Sequence, residues 1–224
     1  MAEAIREIEI GAIIQSPYRE PLYDLVALPA AATRQLQFFQ VPQGQAFTTN
    51  AALVAAGFGF NKSLAHTNIQ QAGAAGKGRD MLITGAQIKV FGLPTIVAGS
   101  LTVGAPPAFP DILGFFHFSW FEVGVTKAEI KVRCDQVPSG LRLEGNSGVA
   151  AGANTTVLGN GMSLAKEYYS FFIPFKGLQK SYGGYMFYKG EQSLVCSINF
   201  DPTFTPSAAM IIGVYLLGIS NKPL

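Results

Sequence analysis

Residues 127–135 read KAEIKVRCD, the cleanest alternation in the chain: Ala128, Ile130, Val132 and Cys134 fall on one side, and Lys127, Glu129, Lys131, Arg133 and Asp135 on the other. Successive side chains of a strand point to opposite faces, so this stretch predicts a β-strand with one face on a core and one in water. Just upstream, FFHFSWFEVGV at 115–125 also alternates, but with a break. Phe116, Phe118 and Trp120 share one parity, whereas Phe121, Val123 and Val125 share the other. The switch predicts one long strand that bulges or bends at Trp120–Phe121 as it crosses the sandwich.

The same signal extends in both directions. MLITGAQIKVF at 81–91 puts Leu82, Thr84, Ala86, Ile88 and Val90 on one parity, and LPTIVAGSLTV after it reads as a second, weaker extended segment. The Pro-rich APPAFPD at 105–111 separates these from the 115–125 strand. QLQFFQV at 35–41 is a strand closed by the turn PQG. Residues 45–80 are aperiodic and small-residue-rich, a long connection with a helical turn near Asn50–Ala56. Toward the C-terminus, a small-residue loop at 145–163 carries one short strand at Thr155–Leu158. YYSFFIPF at 168–175, broken by Pro174, suits a sheet edge. GYMFYK and SLVCSINF flank Gly190–Glu191 like the arms of a hairpin. AAMIIGVYLLGI at 208–219 is apolar on both faces and therefore central.

About eight to ten strands without a long helix or a repeat predict an all-β chain: an antiparallel two-sheet sandwich, a single jelly roll with long loops. The prolines of SPYREPLYDLVALPA, Pro17, Pro21 and Pro29, mark residues 1–33 as an extended N-terminal arm, which leaves 34–224 as the jelly-roll domain. Only 13% of the 224 residues are charged, against roughly 25% in an average soluble domain, so the chain is expected to bury surface against other chains. A net charge of +2 with no basic run argues against a dedicated nucleic-acid binder. MAEAIREIEIGAII has acids where a signal peptide has bases, and the most apolar run is far short of the roughly 20 residues of a membrane span.

Chemistry-bearing patterns are weak. GAAGKGR at 73–79 has Gln71 and Gly78 where a phosphate loop needs Gly and Ser or Thr. His66 reads as a loop residue and His117 as a strand residue, and two isolated histidines make neither a metal cluster nor a hydrolytic triad. Of the acids weighed as a glycosidase pair, Asp111, Glu122, Glu129, Asp135 and Glu144, at least Glu129 and Asp135 fall on a wet face. Cys134 and Cys196 match no metal spacing and read as buried thiols. The sequence therefore predicts no enzyme, no cofactor, no metal and no catalytic residue.

FFQVPQG at 38–44, HTNIQQAG at 66–73, MLITGAQIKVF and the closing VYLLGISNKPL occur in an order that resembles the jelly-roll major capsid proteins of tailless icosahedral bacteriophages. The resemblance implies a structural viral protein of the virion shell, made in the host cytoplasm and self-assembling into an icosahedral lattice. Its expected partners are further copies in capsomers, as trimers or pseudo-hexamers, and other capsid proteins such as a vertex protein. An internal membrane touched by residues 1–14 fits too, and specific nucleic-acid binding is not expected. A tandem jelly roll would need roughly sixteen strands, too many for the length, so one is favoured. The alternative is a carbohydrate- or receptor-binding β-sandwich of a phage or lectin type, with Trp120, Tyr182 or Tyr185 as stacking platforms. Trp120, placed in the core by its alternation, argues against that alternative.

Overall fold

A computed structural model describes residues 17–18, 21–77, 79–92, 95–97, 100–102, 109–125, 130–134, 168–175 and 185–221. Its strands are β1 (Pro17–Tyr18), β2 (Leu22–Leu28), β3 (Gln35–Gln37), β4 (Met81–Gly92), β5 (Thr95–Val97), β6 (Ser100–Thr102), β7 (Ser119–Val125), β8 (Ile130–Arg133), β9 (Tyr168–Pro174), β10 (Met186–Tyr188), β11 (Leu194–Phe200) and β12 (Met210–Asn221). Two antiparallel sheets form a sandwich. In the first, β12 and β4 are central, flanked by β1 and β2 on one side and β9 and β10 on the other. The second runs β3-β11-β7-β8.

The pairing is nested: β2 with β12, β3 with β11, β4 with β9 and β7 with β8. This is one long antiparallel ribbon of eight strands rolled up so that its pairs alternate between sheets, the single jelly roll the sequence predicts. β1, β10 and the β5–β6 hairpin bring the described strand segments to twelve. LPTIVAGSLTV is therefore two short paired strands rather than one extended segment.

β12 is central because it has no polar face to wet. Met210, Ile212, Val214 and Leu216 point into the sandwich, and Ile211 packs outward. A bulge against β4 follows: Leu217 opposes Gly85 but Gly218 opposes Ile83, leaving Thr84 unpaired in register. The Thr84 hydroxyl donates to the Leu217 carbonyl at 3.1 Å. The bulge changes the parity of β4, so Met81 and Ile83 share the core with Ala86, Ile88 and Val90. Gly218 has no freedom to change, since an added Cβ would lie 2.1 Å from the Leu82 carbonyl oxygen.

Four expectations are corrected. The 115–125 stretch is no single strand: Phe109–His117 is a helix and β7 begins at Ser119. Pro110 and Asp111 suit its first turn, and Ile112, Phe115 and Phe116 meet the core at helical spacing. The parity switch is thus a change of period, and β7 pairs with β11 over 119–125 without a bulge. His117 sits at the exposed helix C-terminus instead of on a strand. β10 and β11 do not pair as a hairpin, because β10 joins β4 in the first sheet and β11 lies in the second. The jelly roll starts at Leu22, within the expected arm, because β2 covers one side of β12. Residues 1–16 and the loop and strand expected within 145–163 lie outside the described residues.

The long connection between β3 and β4 packs against the first sheet. Asn50 caps its helical turn Ala51–Leu53, accepting at Oδ1 from the amides of Ala52 and Leu53, and one π turn, Val54–Phe58, follows. Phe47, Leu53 and Phe58 then roof the outer side of Ala27 and Ile211. Farther on, the chain runs along the free side of β2, where the Leu25 amide donates to His66 O at 2.9 Å and the Asn68 amide to Tyr23 O at 3.3 Å. A strand edge that would invite another chain is thereby closed from within.

Candidate functional site

The outer face of the second sheet is polar. Gln35 Nε2 donates to Asn199 Oδ1 at 2.9 Å, Gln37 Nε2 to Gln35 Oε1 at 3.2 Å, and Asn199 Nδ2 to Ser197 Oγ at 3.4 Å. Glu122 pairs with Lys131 at 2.5 Å, though the lysine side chain is 64% exposed. Trp120 belongs to this row and not to the core. It is half-buried, with the Arg133 guanidinium 5.9 Å from its ring centroid. The helix resets the parity before β7, which turns Phe121 and Val123 inward and Trp120 outward.

The outer face of the first sheet is aromatic and partly roofed. Tyr23 stacks on Tyr215 with centroids 5.7 Å apart, and Lys89 Nζ lies 4.4 Å from the Tyr215 centroid. Within the roof, Phe47 contacts Phe58 and Phe60, and the Phe60 ring lies 4.9 Å from that of His66. Phe60, Val54, Leu64 and Phe172 are exposed large apolar side chains.

Sequence reading missed the most buried polar feature, the Asp24–Lys62 pair. Lys62 Nζ lies 2.6 Å from Asp24 Oδ1, each side chain being 1% exposed. Asp24 Oδ2 accepts the Phe39 amide at 2.7 Å. Phe39 has a left-handed φ of 63°, a conformation that costs roughly 1 kcal/mol for a residue with a Cβ. That amide bond, the bond from the Gly73 amide to Phe39 O, and a fully buried ring hold it there. Burial pushes the Asp24 carboxyl up and the Lys62 amine down, each opposed by the attraction between them. A signal was present: Leu22, Asp24, Val26 and Leu28 share a parity, and an acid on an apolar strand face requires a partner.

The residues singled out by sequence are not brought together. His66 Nδ1 lies 3.0 Å from Ser63 Oγ, and burial, helped by the Lys62 charge, holds His66 below its ordinary value. Asp111 is buried and accepts the Ser207 amide and hydroxyl at 2.9 and 2.5 Å, while Glu122 lies on the opposite, polar face of its sheet. Tyr185 is half-buried, and Tyr182, Glu129, Asp135 and Glu144 lie outside the described residues. Cys134 and Cys196 are both buried, and burial, with the Asp24 charge, pushes the Cys196 thiol well up. The GAAGKGR backbone is already engaged: the Gly76 amide donates to Gly190 O and Gly73 O accepts from the Leu194 amide. Among the described residues no group of three or more His, Cys, Asp or Glu could hold a metal, and no helix is long and apolar enough to cross a membrane.

No protein-family model matches the chain. No curated protein matches it at a significant level.

Proposed function

We propose that the chain is a structural capsid subunit whose copies assemble into an icosahedral virion shell. The observation that carries this reading is the display of Val54, Phe60 and Leu64, exposed apolar side chains, on the connection that roofs a single jelly roll. Apolar groups held on a sandwich whose β2 edge is closed favour association through faces and loops over open-ended strand pairing. In this reading the chain forms capsomers with further copies in the shell, beside other capsid proteins, and has no catalytic role. Light scattering and electron microscopy of the purified protein test it. Capsomers or shells are expected, and a monodisperse monomer at high concentration with no ordered assembly would overturn it.

A carbohydrate-binding module is the second reading, favoured by Trp120. Its half-buried indole lies on a face rich in Gln and Asn side chains, the combination that stacks on and hydrogen-bonds a sugar. Saturable binding on a glycan array, lost in Trp120→Ala, would favour it over the shell reading.

A further inference from the structure

We propose that the Lys62 amine and the Asp24 carboxyl condense into a side-chain amide that ties the β3–β4 connection covalently to β2. The reacting groups are already in place, with Nζ 2.6 Å from Oδ1 and both side chains 1% exposed. Holding an amine against a carboxyl in one geometry, away from water, replaces an improbable encounter with an intramolecular step and disfavours the reverse hydrolysis.

The two carboxyl oxygens are differentiated. Oδ2 accepts the Phe39 amide at 2.7 Å, a donor fixed by that residue's left-handed backbone, and this bond stabilises negative charge building on Oδ2 as nitrogen attacks Cγ. Oδ1 faces the amine and is the oxygen that leaves. The step balances without a co-reactant: the carboxylic acid and the free amine hold three protons between them, the Nζ–Cγ bond forms, the Cγ–Oδ1 bond breaks, and the acid proton and one amine proton depart with Oδ1 as water. The third remains on the amide nitrogen, and Oδ2 becomes its carbonyl oxygen.

The surroundings favour the reactive forms. Burial drives the carboxyl toward its acid and the amine toward its free base, the form with a lone pair to attack. The Phe47 ring lies 5.5 Å from Nζ. An amide would also remove the cost of keeping two charges inside the sandwich.

The intact mass of the folded, purified chain, measured under denaturing conditions, tests the proposal. The expected mass is one water below that of the sequence. Trypsin should then release a branched peptide joining residues 20–34 to residues 35–77, uncut after Lys62. Lys62→Arg should restore the mass of its own sequence. A wild-type mass equal to the sequence overturns the proposal, as does a one-water deficit that persists in Lys62→Arg. The decisive reading is on the unaltered chain, so it does not depend on a variant folding.

Discussion

The two sheets turn different faces outward. The second shows amides, charges and one indole. The first shows aromatic and aliphatic side chains, and the β3–β4 connection folds back to cover part of them. A polar face needs only water. An apolar face needs cover, and here the cover is anchored by an ion pair reaching into the sandwich.

If that contrast is real, damage should depend on the face. Lys62→Met should do the most harm, because it leaves the Asp24 carboxylate buried without its cation. A loss of about 3–5 kcal/mol in denaturant-unfolding stability is expected. Phe47→Ala, which opens the roof, should cost about 3 kcal/mol by the same measurement. Acidification comes next. The folded state holds His66 below its ordinary value of 6.5, so its contribution is complete above about pH 6.5 and is lost as pH falls through the lowered value. The unfolding midpoint should drop from pH 7.5 to pH 5 by more in wild type than in His66→Gln. On the polar face, Lys131→Ala should change stability by less than about 0.5 kcal/mol, and a larger loss would break the contrast.

What the sequence made legible follows from period and punctuation. The two-sided apolar run of β12 and the alternation over Ile130–Arg133 of β8 announced a central strand and a half-wet one, and both are there. The helix at Phe109–His117 was hidden because its core contacts at 112, 115 and 116 abut a strand, so Phe116, Phe118 and Trp120 imitate period two. The parity change sought at Trp120 exists in β4, at Thr84, where two extra hydrogen-bonding groups fit the ladder only as a bulge. Asp24 and Lys62 were invisible as a pair because no spacing rule links a strand acid to a lysine in a distant loop. Only the completed roll brings them together.

The nested pairing also sets a timetable for the chain as it is made. Strand β2 has two edges, one closed by residues 66–68 and the other by β12. The first partner leaves the ribosome soon after β2, and the second only after β11 has followed. Until β12 emerges, therefore, β2 is guarded on one side alone.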